Sequence, residues 1–140
     1  MNPKRDAPEY NKGRSKPLIL HIDDSDKVLQ VTELIFSEIG VKAIGALDAE
    51  KGISLARKEQ PDLILMDIVM PGMNGFEAIK LLRSDPKTKD IPILIVTGAN
   101  QEHDVEEGLK AGANGYLIKP IKRERLIFKL EEWLELPRFF

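Results

Sequence analysis

The sequence predicts a single α/β domain in which helices cover both faces of a five-stranded parallel sheet. Short apolar runs alternate five times with longer segments of helical periodicity. Four of these runs lack polar alternation, which is typical of parallel strands buried on both faces. The length of 140 residues suits one domain. Right-handed crossovers then give a doubly wound (βα)5 order.

The five predicted strands are rich in Leu, Ile and Val and are bounded by turn residues. They are Leu18 to Ile22, Val41 to Ala46, Leu63 to Met66, Ile91 to Val96, and Tyr116 to Ile118. The strand–helix alternation predicts a flavodoxin-like sheet, in which the first and third strands are neighbours.

Helical spacing and end signals predict the first two helices. Apolar residues recur at i, i+3, i+7 and i+11 before a glycine that is expected to end the first helix: Val28, Val31, Ile35, Ile39 and Gly40. Asp48 is expected to cap the second helix, which runs to Gln60 and stops before Pro61.

The last three helices have similar signals. Asn74 and Glu77 have the spacing of a capping box, and Asp85–Pro86 ends that third helix. The fourth helix is expected from Asn100 to Gly112, and the fifth from Lys122 to Leu136.

The chain divides into three predicted parts. Residues 1–16 form a flexible polar tail, residues 17–136 the folded domain, and residues 137–140 a short C-terminal tail.

Composition limits the function classes. The absence of cysteine excludes disulfides and thiolate chemistry, and the net charge of -2 argues against direct nucleic-acid binding. No apolar stretch is long enough for a membrane span, so a cytoplasmic location is expected.

Polar side chains follow four of the five predicted strands. The first strand ends in Asp23 and Asp24, the third in Asp67, the fourth in Thr97 and the fifth in Lys119. Ligands of doubly wound sheets bind at the carboxyl ends of the strands. Each residue alone could be a helix cap or a solvated side chain, but their joint occurrence predicts a functional site.

Three carboxylates at this edge would repel one another. Two like charges about 4 Å apart repel by about 4 kcal/mol at a protein-surface dielectric of about 20. Lys119 offsets part of this charge, and Mg²⁺, which binds one or two carboxylates with waters and a phosphate oxygen, is the better candidate for the rest. The set suits phosphoryl transfer to Asp67, with Lys119 and Thr97 contacting the phosphoryl oxygens.

Four stretches, in order, resemble the response-regulator receiver domain, the CheY-like family of two-component signal transduction. They are LILHIDDS, PDLILMDIVMPGMNGFE, IPILIVTGAN and AGANGYLIKP, and the resemblance covers about residues 17–136.

The resemblance implies a role for each matching residue. Asp67 would be the phosphoacceptor, and the metal ligands would be Asp23, Asp24, Asp67 and the backbone carbonyl of Val69. Thr97 and Tyr116 would form the switch, and Lys119 would contact the phosphoryl group before a cis Pro120.

Four residues depart from the family pattern or need a separate interpretation. His21 replaces an aliphatic residue and is interpreted as a partly buried, hydrogen-bonded side chain, whereas His103 is expected to face solvent. Val69 and Ala99 occupy positions that influence aspartyl-phosphate hydrolysis in the family, and neither side chain can hydrogen-bond water. A comparatively long-lived phosphoryl group is therefore expected.

The resemblance also implies partners. A histidine kinase or histidine phosphotransfer protein would supply the phosphoryl group, and the domain would catalyse only its own phosphorylation and dephosphorylation, so it is not expected to be an enzyme. The surface of the fourth helix, fifth strand and fifth helix would contact an unknown target or output domain. A single-domain regulator is favoured over a receiver cut from a longer protein, and homodimerisation stays open.

Three other functions fit the sequence less well. A haloacid-dehalogenase-type phosphatase also uses an aspartate nucleophile, but it needs a second aspartate two residues later, where this chain has Val69. A cofactor-binding flavodoxin-like module lacks its glycine-rich loop here. A receiver fold that acts without phosphorylation would not require the acidic pair, Thr97 and Lys119.

Overall fold

The computed structural model describes residues 14–98 and 102–137, which form five strands and five helices in strict alternation. In chain order the elements are β1 (Leu18–Ile22), α1 (Asp26–Glu38), β2 (Lys42–Ala46), α2 (Ala49–Glu59), β3 (Leu63–Asp67), α3 (Gly75–Ser84), β4 (Ile93–Thr97), α4 (Glu102–Ala111), β5 (Gly115–Ile118) and α5 (Arg123–Glu131). The predicted (βα)5 order is confirmed.

All neighbouring strands are parallel, in the order β2-β1-β3-β4-β5. β1 lies between β2 and β3, with Ile22 opposite Met66, so the predicted neighbours are correct. The chain winds outward from β1 in both directions, and the crevice at the carboxyl ends of β1 and β3 is the expected ligand position.

Alternate side chains of the strands fill a core on each face of the sheet. The core on one face joins the sheet to α2 and α3, through buried residues such as Ile64, Met66, Ala56 and Ile79. The other joins it to α1 and α5, through buried residues such as Leu65, Phe36 and Leu130. These two cores hold the strand ends that carry the polar residues.

The predicted helix starts agree with the structure where it can be described. The Asp48 side chain accepts a hydrogen bond from the Lys51 N–H at 2.8 Å. Asn74 and Glu77 form both halves of the capping box. Asn100, the predicted start of the fourth helix, lies outside the described residues.

Two predicted boundaries differ from the structure by more than one residue. β4 begins at Ile93 rather than Ile91, because Pro92 has no N–H to donate to the strand ladder. α5 ends at Glu131 rather than Leu136, and hydrogen-bonded turns continue the chain to the buried Leu134 before Pro137, which disfavours helix at the residue preceding it.

Arg14, which the sequence places in the polar tail, is ion-paired to the folded domain. Its Nη1 lies 2.9 Å from Oδ2 of the buried Asp62, and its Nη2 donates to the Glu59 carbonyl at the end of α2. The same Asp62 oxygen accepts the Leu18 N–H at 2.8 Å. Arg14 therefore fixes the chain just before β1. Within residues 14–98 and 102–137, no helix has the length and apolar character needed to cross a membrane.

Candidate functional site

The structure brings the predicted polar residues together at the carboxyl edge of the sheet. Asp67 is the last residue of β3, and Asp23 lies one position beyond β1, the neighbouring strand. Thr97 ends β4, and Lys119 follows β5, where its N–H donates to the Thr97 carbonyl at 2.7 Å. One edge thus collects residues that are up to 96 positions apart in the sequence (119 − 23).

Three carboxylates form a cluster at this edge. One oxygen from each of Asp23, Asp24 and Asp67 lies within 4.8 Å of the other two. Asp23 and Asp67 are buried, whereas Asp24 is exposed. Asp23 is fixed by the Ser25 N–H, which donates to its Oδ1 at 2.8 Å. The cluster is therefore held from the protein side and open to solvent at Asp24.

Lys119 bridges two of these carboxylates. Its Nζ lies 3.0 Å from Oδ2 of Asp23 and 3.5 Å from Oδ2 of Asp67. Burial by itself would lower the pKa of Lys119, but its hydrogen bonds and charge interactions with the two aspartates raise the pKa above its usual value. The ammonium is therefore charged at neutral pH and offsets one of the three negative charges.

The environment of Asp67 disfavours its charged form. Burial, followed by the charge of Asp23, raises the pKa of Asp67 to about 6, although Lys119 and a hydrogen bond from the Val69 N–H act in the opposite direction. At pH 7.5 the carboxylate is mostly ionised and can act as a nucleophile. Burial and the neighbouring Asp23 charge therefore outweigh the stabilisation of the carboxylate by Lys119 and the Val69 N–H.

This raised pKa predicts a pH-dependent stabilisation by Asp67→Asn. The folded protein binds more protons than the unfolded chain between about pH 4 and pH 6, so the free energy of unfolding falls as the pH rises through that window. In EDTA, Asp67→Asn should therefore be more stable than the wild type at pH 7.5, by on the order of 2 kcal/mol, with a smaller gain at pH 4.5. Urea unfolding at both pH values measures the difference. An equal gain at the two pH values would contradict this explanation.

The loop after Asp67 packs closely against the strand end. A Cβ on Gly75, the first residue of α3, would lie 2.7 Å from the backbone oxygen of Asp67, so only glycine allows this approach. The Val69 side chain is 66% exposed. The loop therefore places an apolar, solvent-facing side chain beside the acidic cluster.

The two predicted switch residues differ in their surroundings. Thr97 is buried, 2% exposed, whereas Tyr116 on the edge strand β5 is 37% exposed. The Lys129 ammonium lies over the Tyr116 ring, 5.6 Å from its centroid. Sequence reasoning missed Lys129, because nothing in its local pattern separates it from the other cations of α5. The Lys119–Pro120 peptide bond is cis, as the resemblance implied.

His21 is buried and hydrogen-bonded, as predicted. Its Nδ1 lies 2.8 Å from Thr32 Oγ1, which also lies 3.1 Å from the Val28 carbonyl oxygen and 3.2 Å from the Leu29 carbonyl oxygen. The single hydroxyl proton of Thr32 can be donated to one of these three acceptors, so the His21 tautomer decides which atom of the His21–Thr32 pair is the donor. Burial lowers the pKa of His21 to about 4, which keeps the ring neutral at pH 7. His103 is exposed, and Ala99 lies outside the described residues.

The donor set fits a small divalent cation. Carboxylate oxygens are the preferred protein ligands of Mg²⁺, and an exposed carboxylate beside two buried ones leaves room for water and a phosphate oxygen. A dication would also offset the charge that Lys119 leaves uncompensated.

Comparison with known families agrees with this site. The response regulator receiver domain family matches residues 19–131, and the chain belongs to this family. Protein PilH of Pseudomonas aeruginosa is 42% identical over 109 residues, covering 78% of this chain and 90% of PilH. The transcriptional regulatory protein AfsQ1 of Streptomyces coelicolor is 36% identical over 106 residues, covering 76% of this chain and 46% of AfsQ1. The chain thus spans most of PilH but about half of AfsQ1.

Solved structures show the same fold. The chemotaxis protein CheY4 of Vibrio cholerae is 32% identical, with a TM-score of 0.79 over 84% of this chain and 98% of CheY4. The receiver domain of a sensor histidine kinase from Pseudomonas aeruginosa is 29% identical, with a TM-score of 0.79 over 85% of this chain and 98% of that domain. That structure contains a magnesium ion coordinated in the active site cleft.

Proposed function

We propose that Asp67 accepts a phosphoryl group from a histidine kinase or histidine phosphotransfer protein, in a reaction that requires Mg²⁺. The convergence of Asp67, two further carboxylates and Lys119 at one edge of the sheet is the observation that carries this proposal. Acetyl phosphate, a small phosphoryl donor, tests it directly. Intact-protein mass spectrometry should show the addition of one phosphoryl group to the wild-type chain.

The protein groups suit this transfer. An Asp67 carboxylate oxygen attacks the phosphorus of a phosphohistidine, the new O–P bond forms as the P–N bond breaks, and the imidazole leaves. The Lys119 ammonium, 3.5 Å from the Asp67 carboxylate, is near enough to contact the incoming phosphoryl oxygens. Thr97, at the end of the adjacent strand, supplies a hydroxyl to the same edge.

Asp23, Asp24, Asp67 and the Val69 carbonyl would hold Mg²⁺. When bound, the ion supplies positive charge that stabilises the developing charge on the phosphoryl oxygens. Asp23 is held by Ser25 and Lys119, so it needs little rearrangement to present an oxygen. Asp24 is the exposed member and is open to an ion that keeps several waters.

Removal of the Asp24 carboxylate should weaken Mg²⁺ binding without unfolding the protein. Mg²⁺ at about a hundredfold excess over its Kd should raise the wild-type free energy of unfolding by about 2.7 kcal/mol, because it binds only the folded state. Asp24→Asn should need a clearly higher Mg²⁺ concentration for the same gain. Denaturant unfolding across a Mg²⁺ series measures both, with Asp26→Asn, an exposed carboxylate in the first turn of α1, as the control. An unchanged Mg²⁺ response in Asp24→Asn would contradict the ligand assignment.

The phosphoryl group on Asp67 should decay slowly. Val69 is exposed beside the site, and its side chain cannot accept a proton from an attacking water or orient it. After removal of acetyl phosphate, the phosphorylated fraction in magnesium buffer should persist, and Val69→Asn should shorten its half-life severalfold. Decay as fast as in the quickest chemotaxis-type receivers would refute the slow-decay prediction.

Phosphorylation would then change a docking surface. We propose that Thr97 moves toward the phosphoryl group, that Tyr116 turns inward, and that the surface formed by α4, β5 and α5 presents a different shape to a protein target or output domain. The domain would act as a signalling switch and not turn over external phosphoesters. We propose a cytoplasmic location, and homodimerisation through the same helical faces would be compatible with this role.

A further inference from the structure

Tyr116 lies on the open edge of the sheet, within reach of a cation from α5. β5 is the last strand in the sheet order, and Leu117 points into the core that α1 and α5 share. Because side chains alternate along a strand, Tyr116 points to the opposite face. Lys129, on α5, must therefore reach around the edge of β5 to place its ammonium 5.6 Å from the ring centroid.

The position of Lys129 is restricted from two sides. Its side chain is 21% exposed, so most of its length is packed against the protein. Glu132, one turn later on the chain, has its Oε1 3.6 Å from the Lys129 Nζ. Glu132 and the tyrosine ring therefore contact the same ammonium. An ion pair with Glu132 alone would not require the Lys129 ammonium to lie near the Tyr116 ring. The distance of 5.6 Å to the ring centroid is within the limit of about 6 Å for a cation–π contact.

From this geometry we infer that Lys129 is a positioning residue that holds Tyr116 in its outward orientation and so opposes the activated state. The inference rests on the proposed function, in which Tyr116 turns inward when Asp67 is phosphorylated. The ammonium contacts the ring only while the ring lies at the open edge. The contact therefore stabilises the outward orientation alone, and a contact specific to one state shifts the population toward that state.

The expected effect follows from the size of the contact. A partly exposed cation–π contact favours its state by about two- to fivefold. Where the inward orientation of Tyr116 is the minor one before phosphorylation, loss of the Lys129 contact raises the inward fraction by the same factor. The apparent affinity for an activating ligand rises with that fraction.

The experiment uses beryllofluoride, a stable phosphoryl mimic, as the ligand in magnesium buffer. The shift of the thermal midpoint with beryllofluoride concentration gives the apparent affinity. Lys129→Met, which keeps most of the length of the side chain but removes its charge, should bind beryllofluoride about two to five times more tightly than the wild type. Lys129→Arg should resemble the wild type, because a guanidinium also stacks on an aromatic ring. Arg125→Met is the matched control, since Arg125 lies on the same helix as Lys129 and, together with Tyr116, lines a groove beside β5.

A ring-deletion background separates the contact from a general charge effect. In Tyr116→Leu, Lys129→Met should change the beryllofluoride affinity little, because the ring that the cation contacts is gone. An unchanged affinity in Lys129→Met, or an equal gain in Arg125→Met, would overturn the inference while leaving the proposed function intact. No response of the wild type to beryllofluoride would instead overturn the proposed function itself.

Discussion

Asp67→Asn is expected to abolish phosphorylation of the chain by acetyl phosphate or by a cognate histidine kinase. The amide keeps the shape of the side chain but lacks the nucleophilic carboxylate oxygen that must form the bond to phosphorus. Of the two buried carboxylates, Asp23 lies closer to the Lys119 ammonium, at 3.0 Å against 3.5 Å for Asp67, so we expect Asp23 to stay paired and Asp67 to be the acceptor. Intact-protein mass spectrometry or radiolabel retention measures the loss.

The control for this variant is Asp48→Asn. It makes the same carboxylate-to-amide change at the start of α2, where asparagine also caps a helix well, so the fold and the labelling should both survive. Because Asp67→Asn should also be more stable than the wild type at pH 7.5, unfolding cannot explain its loss of label. Label retained at wild-type level in Asp67→Asn would show that another residue is the acceptor.

Arg83→Met is expected to cause a large loss of stability away from the site. The guanidinium of Arg83 joins three segments at the opposite edge of the sheet. Its Nε donates to the Gly112 carbonyl at 2.9 Å, its Nη1 to the carbonyls of Lys89 and Ile91 at 2.9 and 2.8 Å, and its Nη2 to Asn114 Oδ1 at 2.8 Å. Each bond has a charged donor, which makes it stronger than a neutral one.

The methionine variant retains the apolar stem but loses every one of these donors. We expect the free energy of unfolding to fall by about 2–4 kcal/mol, measured by urea denaturation. Arg83→Lys should recover only part of it, because one ammonium cannot reach acceptors that lie around a planar fork. Lys80→Met, an exposed position on the same helix, is the control and should change little. A loss below about 1 kcal/mol in Arg83→Met would show that water replaces the guanidinium adequately.

Much of the fold could be predicted because its signals are local. Apolar runs without alternation identified the buried strands, and the capping residues Asp48 and Asn74 marked helix starts that the structure reproduces. The strand ends also gave the candidate site. Once a parallel, doubly wound order is inferred, the residues after β1, β3, β4 and β5 must meet at one edge. The sequence alone therefore predicts that four of the site residues lie at the same edge of the sheet: Asp23, Asp67, Thr97 and Lys119.

The sequence by itself thus determined the class of fold, the edge that carries the chemistry and the residues at that edge. Only the tertiary structure decided which residues from distant parts of the chain contact one another: Arg14 contacts Asp62, Arg83 contacts the loop before β5, and Lys129 lies over the Tyr116 ring. It also decided that Asp67 is buried deeply enough to have a raised pKa. The physical reason is the separation along the chain over which each kind of interaction acts. Periodicity and capping depend on neighbours within a few residues, whereas ion pairs, ring contacts and desolvation depend on atoms that folding brings together from distant parts of the chain.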